Sequence, residues 1–207
     1  MNNGMVKSLT DRALWLMALL TQVAGCSGIK HFEWTEDVKL LDGRQIVVRR
    51  MTKFRAVMDA GAGLQRGHLF DNASISADLP APVSRKVEWA GRGLSPFILD
   101  VLPDGQVYLV CTTETAAGAD TWKVPDHEFF VSFQLVGERW ERVPLSALPP
   151  TVRRTNLLGP VHTVFIEMPG RMPKHFDLKM KEAIAAQYAR EPRQREVVIY
   201  PPPSTTR

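Results

Sequence analysis

Val38-Lys39-Leu40-Leu41-Asp42-Gly43-Arg44-Gln45-Ile46-Val47-Val48-Arg49 sets Asp-Gly between two β-prone runs. Asp-Gly supplies the positive φ angles that a tight hairpin turn needs, so this stretch reads as two antiparallel strands. The device recurs. Phe97 to Leu102 and Gln106 to Val110 flank Asp104-Gly105. Phe129 to Val136 and Arg139 to Val143 flank Gly137-Glu138. Three hairpins in one chain predict a mainly antiparallel β fold. Val83 to Trp89 reads as a further strand, and Trp34, Trp89, Trp122 and Trp140 lie in or near these runs as packing residues of one shared core.

The remaining segments are assigned outward from the hairpins. Met58 to Pro82 is rich in Gly, Ala, Asp, Ser and Pro and reads as a long loop. Thr112 to Asp126 reads as a polar connector. Val161 to Met168 is a strand candidate, ended by Pro169-Gly170. Asp177 is placed to cap a helix running to about Arg190, where Glu191-Pro192 stops it. Phe176, Met180, Ile184 and Tyr188 recur every fourth position and form one stripe, read as core packing against the sheet. Val197 to Tyr200 reads as a closing strand, and Pro201 to Arg207 as an extended tail. The expected fold class is mainly β (α+β): an antiparallel sandwich or a partly open barrel with one C-terminal helix. The expected organisation is a signal peptide over residues 1–25, then one domain within 26–207, ordered over about 30–200.

Composition agrees. In 207 residues, 44% are hydrophobic and 23% charged, which excludes a disordered chain and a multi-pass membrane protein. The net charge of +4 is mild, and no basic run with interleaved aromatics suggests a nucleic-acid surface.

The N-terminus carries the clearest functional signal. Lys7 and Arg12 precede an uncharged run from Ala13 to Gly25. A helix over that run spans roughly 20 Å, short of the ~30 Å hydrocarbon core, so it suits an export signal better than a permanent span. The run ends in Val23-Ala24-Gly25-Cys26. An aliphatic residue, two small residues and a Cys in this order resemble the lipobox of bacterial lipoproteins. The resemblance covers the signal alone. It implies a diacylglyceryl thioether on Cys26, recognition of Val23, Ala24 and Gly25 by a dedicated signal peptidase, cleavage before Cys26, and acylation of the new amino group, typically by palmitate. Two or three acyl chains hold a protein stably on a bilayer, at ~0.8 kcal/mol per buried methylene. Ser27 after the Cys is compatible with transport to the outer membrane in a two-membrane cell. An ordinary cleaved signal and an uncleaved anchor remain open alternatives on the residues.

With Cys26 lipidated, the second cysteine, Cys111, has no partner. It lies in the strand-like run Val107 to Cys111 and reads as a small buried hydrophobe. A Cys26–Cys111 disulfide is the alternative if Cys26 is free.

No nucleophile elbow, zinc-protease helix, phosphate loop or Cys-x-x-Cys occurs. The five histidines stand at no metal-ligand spacing, and neither a cofactor nor a metal is expected. The densest polar spot, Asp126-His127-Glu128, is the weak candidate site, read first as a solvated turn entering the Phe129 strand. These observations predict a non-enzymatic envelope lipoprotein with a structural or interaction role. Its expected partners are the bilayer through Cys26 and another envelope protein or a cell-wall polymer. A β-cup carrier of a small ligand and an envelope hydrolase remain the alternatives.

Overall fold

The computed structural model describes residues 28–58, 65–125, 128–159 and 169–190. Two sheets pack face to face. The first has the order β4-β3-β2-β1-β9, built from β1 (Ile29–Lys39), β2 (Gln45–Met58), β3 (Gln65–Leu79), β4 (Arg85–Arg92) and β9 (His175–Phe176). The second has the order β5-β6-β7-β8, built from β5 (Leu94–Val101), β6 (Val107–Thr113), β7 (Phe130–Val136) and β8 (Arg139–Val143). All pairings are antiparallel except the short β1–β9 contact, and the sheets do not close into a barrel. Helices α1 (Ala116–Trp122) and α2 (Leu178–Arg190) complete the described elements, with 3-10 turns at Leu145–Ala147 and Pro169–Arg171. The sandwich with a C-terminal helix is the expected fold class.

All three hairpins form. Gly43, Gly105 and Gly137 take φ values of +89°, +86° and +58°, the region that L side chains avoid. In the first two, the turn Asp accepts the N–H two residues on: Asp42 Oδ1 from Arg44 and Asp104 Oδ1 from Gln106, each at 3.0 Å.

Met58 to Pro82 is not a loop over its described part: β3 fills 65–79 and pairs with β2 on one side and β4 on the other. Phe70, Ala73, Ile75, Ala77 and Leu79 are buried, while Asn72, Ser74, Ser76 and Asp78 face outward. The polar composition is the outer face of a central strand. Its inward residues include two alanines, which weaken the alternation, and a register shift opposite Lys53/Phe54 changes its phase. The Thr112–Asp126 connector contains α1, capped by Thr115, whose Oγ1 accepts Gly118 N–H at 3.0 Å. Gly118 lies against Gly93, and a Cβ on Gly93 would stand 2.4 Å from Gly118 Cα.

Strands β5 and β6 of the second sheet are buried on both faces. Leu94, Leu99, Val101, Val107, Leu109, Cys111, Val131 and Phe133 meet the first sheet's Val38, Leu40, Ile46, Val48, Ile75, Val87 and Trp89. On the opposite face, Ile98, Tyr108 and Val110 lie under Leu145, Leu148 and Val152. This explains the continuous apolar runs of β5 and β6, against the strict alternation of β1 and β4. The β5 edge is covered as well: Asn156 accepts Leu99 N–H at 3.0 Å and donates to Leu99 O at 2.7 Å.

The first sheet has a second cluster of its own, made of Phe32, Trp34, Phe54, Phe70, Ala73 and Phe176, with Leu158, Met172 and Ile184 packed on it. Helix α2 covers this end. Met180 N–H donates to Asp177 Oδ1 at 2.7 Å, the predicted cap. Of the predicted stripe, Phe176 and Ile184 pack inward, Met180 is 37% exposed, and the Tyr188 side chain lies outside the described residues. Trp89, Trp122 and Trp140 share the main core, whereas Trp34 belongs to the second cluster, so the four tryptophans do not form one core. The signal segment, Val161–Met168, Val197–Tyr200 and the tail lie outside the described residues.

Candidate functional site

The inward stripe of β1 runs Phe32, Trp34, Glu36, Val38, and that of β2 runs Ile46, Val48, Arg50, Thr52, Phe54. Each therefore carries one charged side chain in an apolar row. Glu36 pairs in register with Val48 and Trp34 with Arg50, so the two charges are diagonal neighbours on one face. Arg50 Nη1 reaches Glu36 Oε1 at 2.6 Å, and both side chains are fully buried.

Every nearby element is drawn to this pair. Arg50 Nη2 donates to Pro96 O of β5 at 3.1 Å, joining the two sheets. Nη1 also donates to Leu158 O at 3.1 Å, and the guanidinium lies 5.2 Å from the Trp34 ring centroid. Glu36 Oε2 accepts Leu158 N–H at 2.9 Å and pairs with Lys181 Nζ of α2 at 2.8 Å. Lys181 Nζ donates further to Asp37 O at 2.7 Å and Asn156 O at 2.5 Å. Burial pulls the Lys181 pKa down, opposed by the Glu36 carboxylate. Beside it, His175 Nε2 stands 3.5 Å from Asp37 Oδ1, and its Nδ1 shares a 2.8 Å hydrogen bond with Thr35 Oγ1. The cluster ties both sheets, the 156–158 segment and α2 together. Arg50 Nε, Trp34 Nε1 and Thr52 Oγ1 are buried there without a hydrogen bond. With its carboxylate engaged by two cations and a backbone N–H, the cluster is a clamp rather than an acid–base pair facing a substrate.

Two acids whose pKa burial raises lie apart from it and from each other. Asp100, at the end of β5, accepts Leu41 N–H at 3.0 Å and Val101 N–H at 2.8 Å. Burial raises its pKa. Glu114 follows the far end of β6, accepts from Thr112 Oγ1 at 2.5 Å, and is likewise raised by burial. The two stand at opposite ends of the second sheet and do not converge on one cleft. Cys111 is fully buried, and burial pushes its thiol well above the ordinary range, with Arg50 opposing less strongly. A thiolate nucleophile needs the reverse.

Of the predicted polar site, Asp126 and His127 lie outside the described residues. Glu128 stands before β7, half-buried, its N–H donated to Pro125 O at 2.9 Å. Among the described residues no group of three or more His, Cys, Asp or Glu could hold a metal ion. Val23, Ala24, Gly25 and Cys26 also lie outside the described residues, yet the chain is held almost at once after them. Gly28 O accepts Ala56 N–H, extending the β1–β2 ladder to within two residues of Cys26. At the opposite end of the first sheet three turns gather. Asp100 holds the β1–β2 turn, Arg44 of that turn donates to Ala81 O, and Gly105 lies against Pro82.

Glu36, Arg50 and Lys181 escape a reading of motifs because no local pattern joins them. One signal was present: a charge on an inward position of each hairpin strand. No protein-family model, curated protein or solved structure matches this chain.

Proposed function

We propose that this protein is a lipid-anchored component of a bacterial cell envelope with a non-enzymatic structural or interaction role. The observation that carries the reading is Val23-Ala24-Gly25-Cys26 at the end of a short apolar run that follows Lys7 and Arg12. The described charged groups support the non-enzymatic part. Glu36, Arg50 and Lys181 are consumed in joining elements, Asp100 fastens a turn, and Glu114 stands at the other end of the sheet. The cluster of turns farthest from Cys26 exposes Leu41, Asp42, Pro103 and Asp104 to a second envelope component. In a two-membrane cell Ser27 is compatible with transport to the outer membrane.

The test is the intact mass of the protein extracted from the membranes of a bacterial host. A chain beginning at Cys26 with diacylglyceryl and acyl additions is expected. Cys26→Ser is expected to leave the protein folded and abolish lipidation, so that it is released or remains unprocessed. If Cys26→Ser is processed and partitions with membranes as the natural chain does, the reading is wrong.

A further inference from the structure

We infer that one end of the first sheet is itself a membrane-contact surface, seated on the headgroup layer beside the anchor. The inference rests on lipid attachment at Cys26. Only Ser27 separates Cys26 from Gly28, whose carbonyl is already bonded to Ala56. Two extended residues reach about 7 Å, so a lipidated Cys26 holds this end of the sheet at the bilayer rather than on a long leash. Gly28 is also packed closely, because a Cβ there would stand 2.8 Å from Ala56 Cβ.

The side chains at that end suit a lipid interface. Ile29, Arg55 and Leu69 are register partners across β1, β2 and β3 and share the outward face of the sheet. Val57 continues that face beyond Arg55, and Lys53 precedes it. Ile29, Val57 and Leu69 are 59%, 41% and 36% exposed and gather at this end of the face, whereas Val47, 54% exposed, lies on the same face toward the turns. Apolar residues of an interfacial surface enter the headgroup–acyl boundary by ~5–10 Å, while basic neighbours meet lipid phosphates. Arg55 and Lys53 supply those charges. The turn end of the sheet lies about 35 Å away along β1, outside the reach of the interface.

The experiment uses the full-length lipidated protein, reconstituted in vesicles of phosphatidylethanolamine and phosphatidylglycerol that carry a nitroxide quencher near the headgroup. A thiol-reactive fluorophore is placed at Val57→Cys, Leu69→Cys or Asp104→Cys, each with Cys111→Ser, and the intact mass of every sample is recorded. Quenching several-fold stronger at positions 57 and 69 than at 104 is expected. It should fall in Lys53→Glu/Arg55→Glu, a surface variant that leaves the core untouched. Equal quenching at the three positions in protein whose mass proves lipid on Cys26 overturns the contact surface and leaves the anchor standing. A mass without lipid overturns the anchor, and the contact surface with it.

Discussion

The two ends of the first sheet's inward face are held by different physics. Toward the turns, Val38, Leu40, Ile46 and Val48 pack on the second sheet, apolar surface on apolar surface. Past Glu36 and Arg50 the same strands outrun that sheet, and Phe32, Trp34 and Phe54 are covered by Phe176, Leu158, Met172 and Ile184 instead. A broad sheet interface excludes water without directional bonds. A single helix and an irregular segment bury less, and here they are fastened by a buried carboxylate with two cations. Such a clamp adds little net stability, because desolvation offsets the attraction, but it fails badly when one member is removed.

The largest expected effect breaks the clamp. Glu36→Ala leaves Arg50 buried without its carboxylate, and denaturant unfolding should show a loss of about 3–5 kcal/mol. Replacing all three charges, as in Glu36→Leu/Arg50→Met/Lys181→Met, should recover most of that loss. A triple variant as unstable as the single one would show that the charges stabilise this end outright.

A smaller effect separates the two ends. Lys181→Met keeps the stem and removes the ammonium that binds Glu36, Asp37 O and Asn156 O, at a cost of about 1–3 kcal/mol. Amide exchange should quicken in 178–190 and at the start of β1, while β6, buried on both faces, stays protected. Uniform quickening would mean that the two ends unfold as one unit.

The smallest effect is a pH profile. Burial raises the Glu114 pKa in the folded protein above its unfolded value. The stabilisation this linkage gives the protonated form is complete below the unfolded pKa and is lost as pH rises through the folded one. Glu114→Gln does not titrate. It should gain on the natural protein as pH climbs through the carboxylate range, and the difference should be level on either side. A gap that narrows with rising pH would reverse the sign assigned to Glu114.

Much of the frame was legible because its signals are local. Asp42-Gly43, Asp104-Gly105 and Gly137-Glu138 mark their hairpins through backbone conformation, and Asp177 marks its helix through one hydrogen bond. β3 was not legible, since Asn72, Ser74, Ser76 and Asp78 resemble a loop until β2 and β4 stand on either side. α1 is seven residues long, too short to display a period. The 3-10 turn at Leu145–Ala147 and Asn156 gave no hint that they cover a face and an edge of the second sheet.

By itself, the chain's order of residues determined the turns, the alternation that makes β1 and β4 one-sided, and the capped helix. These depend on neighbours a few positions apart, where φ preference and side-chain period act. The tertiary structure alone decided that Glu36, Arg50 and Lys181 meet, that α2 lands on the overhanging end of the first sheet, and that residues 144–157 bury the outer face of the second. Those contacts join segments more than a hundred residues apart in the case of Glu36 and Lys181. They exist because two sheets of unequal strand length leave apolar surface uncovered at one end, and burying it draws in whichever remaining segment can also satisfy the charges beneath.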